Sequence, residues 1–272
     1  MKSILLHIDT DPGMEARLQV AMDIARACDG HITCLQAVSY ELFAPGDFYG
    51  SAMASALPKI REAAENFRAQ VESDLANEDV SWEWRYLDGV AENRLLEQSA
   101  LNDIIIIGPN DIGGLGSGRP SVMAGELALK APAPVLVVPG DHDRMDVFAP
   151  VFIAWNGSTE AAAAIRAALP LLKLSGNAIL ASVDEKDGKN RFEFSSSEAA
   201  LYLDRHGVDV EVVDLPRGDG KISDVLADAA LLRESSVMVM GAYGHSRLAE
   251  MLLGGVTRQL LSDPKLPILL SS

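Results

Sequence analysis

The stretch Val237-Met238-Val239-Met240-Gly241-Ala242-Tyr243-Gly244-His245 decides the fold, together with Gly254-Gly255-Val256-Thr257 a little further on. Its apolar run is short and ends in a glycine, the pattern of a buried strand entering a turn. A second glycine follows three residues after Gly241, and a third stands ten residues after Gly244. Val256-Thr257-Arg258-Gln259-Leu260-Leu261 then has helical spacing. A strand, a glycine loop and a helix start in this order suit a phosphate. Glycines let backbone amides approach an anion closely, and a helix start offers unpaired N–H groups at the positive end of its dipole. The loop lacks the Gly-Lys-Ser/Thr end of a P-loop and is not the dinucleotide G-x-G-x-x-G. Plainer readings stand beside this one. Gly241 is also what an ordinary strand-to-turn junction needs, and Gly254 is also a stop for a helical turn at Leu252-Leu253.

The unit occurs twice. Ile104-Ile105-Ile106-Ile107-Gly108 parallels Val237 to Gly241, and Ile4-Leu5-Leu6-His7-Ile8-Asp9 parallels Val151-Phe152-Ile153-Ala154-Trp155-Asn156. Ala133-Pro134-Val135-Leu136-Val137-Val138 parallels Leu266-Pro267-Ile268-Leu269-Leu270. The landmarks keep their order at offsets of 133 to 147 residues, which indicates a duplicated domain rather than a short-repeat solenoid. We expect one domain over residues 1–140 and a second over 150–272, with the Asp- and Pro-rich run from Pro139 to Pro150 as linker.

Within each copy, continuous apolar strands alternate with helical patterns. That predicts an α/β fold: a doubly wound, five-stranded parallel sheet in the order 3-2-1-4-5, with helices on both faces. Ligands of such sheets sit beyond the carboxyl ends of the strands, at the switch point. Asp9 and Gly108 would flank that crevice in the first copy, Asn156 and Gly241 in the second. The first copy is longer between these landmarks, 99 residues against 85, and most of the surplus fits a 40–57 insert read as a loop. That insert carries Phe43, Phe48, Tyr49 and Met53, suited either to a ligand or partner or to a lid over its own domain. The fifth strand of each copy is a short apolar edge. The two are expected to cover each other, at the high effective concentration of a single chain. A further homodimer is left open.

At 272 residues the chain is long enough for one large domain or two ordinary ones, and 48% hydrophobic residues supply ample core. No apolar run reaches the roughly 18 residues that span a bilayer. An acidic residue arrives at Asp9, too early for a signal peptide, so a cytoplasmic, soluble protein is expected. The net charge of −16 argues against nucleic acid or an anionic membrane as partner. The charge is uneven. Residues 1–148 hold 11 Lys/Arg and 23 Asp/Glu, a net of −12, whereas residues 149–272 hold 12 and 16, a net of −4. A polyanionic ligand is better tolerated by the second half. Cys28 and Cys34 match no zinc or redox spacing and read as reduced thiols.

The chain resembles a tandem universal stress protein, most strongly through Ala154-Trp155-Asn156-Gly157-Ser158 and the stretch Gly241 to Thr257. The resemblance implies a stress-response or regulatory protein that binds an adenine nucleotide (ATP, ADP or AMP), with or without magnesium. It also implies domains paired through their last strands. It places Gly241 and Gly244 near ribose and phosphates, His245 at hydrogen-bonding distance of a phosphate, and Gly254, Gly255 and Val256 as amide donors. Where Gly255 stands, the family often has a serine whose hydroxyl meets the terminal phosphate; Thr257 is a substitute source, and without one AMP or ADP is as acceptable as ATP. Asn156 replaces the family's usual adenine-side Asp, keeping a donor and an acceptor but no carboxylate. Val183 would lie near adenine or simply in the core. In the first copy Asp111 stands where the second glycine belongs, Ser121 stands where the second copy has Gly254, and Gly113 to Gly118 is flexible rather than preorganised. The first copy thus reads as a degenerate site.

No catalytic constellation accompanies the loop. The chain lacks Gly-x-Ser-x-Gly, a His-x3-His pair and a carboxylate cluster for metal. Phosphoryl transfer needs a placed metal, a base and a charge clamp, and only His245, Arg247 and the loop amides are candidates. Little or no hydrolysis is expected. The alternatives are an interaction or structural protein without nucleotide, or a slow ATPase.

Overall fold

The computed structural model describes residues 1–39, 47–109, 121–183, 194–242 and 254–272, with the backbone alone for 47–57. The first half runs β1 (Ser3–Ile8), α1 (Met14–Cys28), β2 (His31–Val38), α2 (Asp47–Leu75), β3 (Ser81–Asp88), α3 (Ala91–Gln98), β4 (Ile104–Ile107), α4 (Val122–Lys130) and β5 (Val135–Val137). The second repeats the pattern with β6 (Val151–Ala154), α5 (Thr159–Ser175), β7 (Asn177–Val183), α6 (Ser196–Arg205), β8 (Asp209–Leu215), α7 (Ile222–Leu232), β9 (Val237–Gly241), α8 (Gly255–Ser262) and β10 (Ile268–Ser271).

All ten strands form a single sheet, ordered β3-β2-β1-β4-β5-β10-β9-β6-β7-β8. Each half keeps the expected 3-2-1-4-5 order. The halves meet through β5 and β10, which pair antiparallel as Val137↔Ile268, Leu136↔Leu269 and Val135↔Leu270. Every other neighbouring pair is parallel. Burial explains the composition of the central strands. Ile104 to Ile107 are all fully buried, because a strand covered on both faces needs apolar residues at every position. Residues of α1, α2, α5 and α6 pack into a core on one face with Leu6, Ile106 and Leu269. Residues of α3, α4, α7 and α8 pack into the other with Leu5, Ile105 and Ile268.

One local expectation is corrected. The 40–57 insert is not a loop throughout, since α2 begins at Asp47 and runs through Pro58. A proline favours a helix start, but the Ala- and Met-containing run before Pro58 extends the helix back to Asp47. The connection between the halves packs against them. Met145 and Val147 are buried in the first core, and the Met145 amide donates to Asp23 of α1 at 2.8 Å.

Candidate functional site

The carboxyl ends of β6 and β9 are neighbours by register, with Ala154 opposite Met240. Two residues past Ala154 stands Asn156. Its side-chain oxygen accepts from the Ser158 amide at 3.2 Å and from the Ser158 hydroxyl at 2.8 Å. The Ser158 Oγ in turn accepts from the Ala161 amide at 3.1 Å, capping α5. Gly157 takes φ +73°, the left-handed turn that lets this arrangement close. The acceptor of Asn156 is therefore committed to the local turn, and its amide nitrogen is what remains for a ligand. Val183, at the end of β7, is half-buried and packs against the second core beside Leu215, its register partner on β8.

Gly241 ends β9 for a reason the sequence did not reveal. A Cβ there would fall 2.7 Å from the Ala161 nitrogen and from the Glu160 carbonyl carbon. The close approach that demands a glycine is that of the α5 backbone to the sheet. Gly244 and His245 lie outside the described residues, as does Asp111 of the first copy.

At α8 the geometry is open. Gly254 is the N-cap and offers no side chain to the first turn. The first i→i−4 bond runs from the Arg258 amide to the Gly254 carbonyl at 2.8 Å, so the amides of Gly255, Val256 and Thr257 precede the helical ladder. A Cβ on Gly255 would meet no atom of the described residues within 4 Å. Thr257 is only 5% exposed, which makes it a core-facing residue of the first turn rather than a hydroxyl held out to solvent. The equivalent helix of the first half is closed. Ser121 caps α4, its hydroxyl accepting from the Ala124 amide at 3.0 Å.

The first half also fills its strand ends with its own charges. Arg17, 1% exposed, donates to both carboxylate oxygens of Asp11, at 2.9 and 2.5 Å, and to the His7 carbonyl at 3.3 Å. A Cβ on Gly108 would lie 2.5 Å from its Nη1, so this glycine makes room for a guanidinium. Burial works to raise the Asp11 carboxyl, but the Arg17 hydrogen bonds and charge overcome it and hold it below the ordinary range. Burial, then the Arg17 charge, pushes the His7 imidazole down to about 4. Asp9 accepts from the Thr10 amide at 2.7 Å. Burial raises its carboxyl despite that bond, and the Asp11 charge adds to the rise. Cys34 is buried, its thiol pushed up to about 12 by burial and then by Glu72, and is thus inert; Cys28 is also free. Among the described residues no group of three His, Cys, Asp or Glu side chains is placed to hold a metal, and no helix is long and apolar enough to cross a membrane.

Comparison with known proteins agrees with this architecture. Residues 148–271 match the model of the universal stress protein family. A universal stress protein from Archaeoglobus fulgidus DSM 4304 superposes at a TM-score of 0.67, with 17% identity over 99% of this chain and 97% of its own. A functionally unknown protein from Pseudomonas aeruginosa PAO1 superposes at 0.60, with 16% identity over 100% of this chain and 92% of its own. At these identities the likeness concerns the fold. No curated protein matches the chain.

Proposed function

We propose that the second half, residues 150–272, is a nucleotide-binding domain of universal stress type, and that it holds one adenine nucleotide with its phosphates at the start of α8. The carrying observation is the first turn of that helix, whose N-cap Gly254 has no side chain to cap it and whose Gly255 faces open space among the described residues. A helix start of this kind supplies amide donors and the positive end of a dipole to a phosphate. The family match over 148–271 supports the reading, and so does the charge of the second half, less acidic than the first. Gly241, Gly244 and His245 complete the cradle in this proposal, Asn156 offers its amide nitrogen to the base, and Val183 lines the base side. Residues 1–140 form a sister domain whose phosphate end is closed by Ser121 and Arg17.

The role is regulatory rather than catalytic. Backbone amides position phosphates well, but phosphoryl transfer also needs a charge clamp and a water-orienting base. A bound nucleotide acts by linkage, favouring whichever conformation or assembly binds it better.

Gly255→Asp tests the site without threatening the fold. An acidic residue in the first turn suits the helix dipole, so the melting temperature should hold or rise slightly. The same carboxylate occupies the phosphate position, so affinity for ATP, ADP and AMP by calorimetry should fall at least tenfold. Unchanged affinity for all three would refute the proposed cradle. Phosphate release near one per second in the parent, absent in the variant, would make the protein an enzyme instead.

A further inference from the structure

The first half carries a chamber of about 530 Å³ bounded by the ends of β1 and β2, by α2, and by the starts of α3 and α4. Much of its wall is aliphatic, including Ile8, Val38 and Ile60. Its polar groups are mostly acceptors. Gln36, 5% exposed, donates through Nε2 to the Ala64 carbonyl at 3.4 Å, which leaves Oε1 as the free end. That oxygen is buried with no partner among the described residues, and so is the Ser39 hydroxyl. Both residues line the chamber, as does Asp9, one position beyond the pair Ile8↔Gln36. Among the described lining residues the charged ones are Asp9 and Glu92, with no lysine or arginine.

This combination selects against phosphate. The α4 turn is already capped by Ser121, and the Arg17 guanidinium is neutralised by Asp11. An anion entering would meet a carboxylate of like charge. A buried acceptor without a partner is costly, and a ligand N–H removes that cost. A half-buried carboxylate gains in the same way from a cation, in surroundings where charges interact strongly.

We propose that this chamber binds a small organic ammonium ion: an apolar or aromatic body in the aliphatic pocket, a protonated amine against Asp9, and N–H donors for Gln36 Oε1 and Ser39 Oγ. The site is separate from the nucleotide site proposed above and stands or falls without it.

Three probes that share one ring separate charge from shape: tryptamine, the neutral indole-3-ethanol and the anionic indole-3-propionate. Calorimetry on the full chain should show one tryptamine site. Indole-3-propionate should bind at least tenfold more weakly, with the alcohol between them. Asp9→Asn should lower tryptamine affinity at least tenfold and erase its advantage over the alcohol. Ala63→Leu, which fills the chamber from α2, should weaken all three probes, and it serves as the deciding variant if Asp9→Asn melts early. Saturating ATP should leave tryptamine binding unchanged. The proposal is overturned if neither tryptamine nor the slimmer butylamine binds at millimolar concentration. Unaltered tryptamine affinity in both variants, or displacement of tryptamine by ATP, would also overturn it.

Discussion

A methyl group on Gly241 would collide with the first turn of α5, at 2.7 Å from backbone atoms that cannot step aside without moving the helix. Gly241→Ala should therefore destabilise the protein by about 1–3 kcal/mol, the usual cost of overpacking, measured by urea unfolding. His7 offers a second test at this scale. Its folded pKa of about 4 lies below the ordinary 6.5, so the folded state prefers the neutral ring. The stabilisation is fully present above pH 6.5 and is lost as the pH falls toward 4. At about 1.36 kcal/mol per pH unit, roughly 2 kcal/mol should disappear between pH 7 and pH 5. Asp11 adds a loss in the same direction at lower pH, because its carboxyl is held below the ordinary range. Replacing His7 with Gln should flatten the stability profile between pH 7 and 5. A profile as steep as the parent's would show that another group carries the dependence.

At the scale of elements, α5 illustrates how a helix cap and a proposed ligand residue share atoms. Ser158 caps the helix and also anchors Asn156, so Ser158→Ala removes two hydrogen bonds at once. A loss of about 1–2 kcal/mol is expected from the cap. Nucleotide affinity should fall as well, because the Asn156 turn loosens; a stability loss with affinity intact would detach Asn156 from the ligand. The elements themselves were largely legible. Runs such as Ile104 to Ile107 have no plausible home except a doubly covered strand. The start of α2 was missed because Pro58 signals a beginning more strongly than the residues before it signal continuation. The site was legible only in part. Gly254 and Gly255 stand where an open helix start needs them. The motif could not show that Gly241 serves helix packing, that the Asn156 oxygen is already engaged, or that Thr257 is buried, since each depends on an element far off in sequence or on the turn of a side chain. Arg17 and Gln36 went unnoticed for the same reason. A single charged residue in an amphipathic helix and a single amide in an apolar strand carry no periodic signal.

Across the whole molecule, the two halves have parted ways at the same address. One keeps an uncapped helix start at its strand ends; the other has a capped helix, an internal ion pair and an acceptor-lined chamber. The sheet is closed off differently at its centre and its rims. Its outer strands, β3 and β8, have only exposed and half-buried positions and carry Glu83, Arg85, Asp209 and Glu211, which discourage edge-to-edge association. The central strands β5 and β10 are buried and uncharged, and so are suited to nothing but each other. Residues 1–148 and 149–272 produced separately should each expose one such strand. Each should self-associate or aggregate alone, and mixing during refolding should restore a one-to-one complex visible by size-exclusion chromatography with light scattering. Stable, independent monomers of both fragments would contradict the seam's energetic role.

The direction of that seam has a further consequence. An antiparallel junction between two otherwise parallel halves turns one half over relative to the other within the plane of the sheet. The carboxyl ends of β1 and β4 and those of β6 and β9 therefore lie on opposite margins of the slab. Two ligands, one per half, would arrive from opposite directions and never touch. Communication between them has to pass the seam, where the three rungs Val135–Leu270, Leu136–Leu269 and Val137–Ile268 lie between two cores that both halves share, and this makes the short zipper and its flanking side chains the natural place to look for coupling between the two ends.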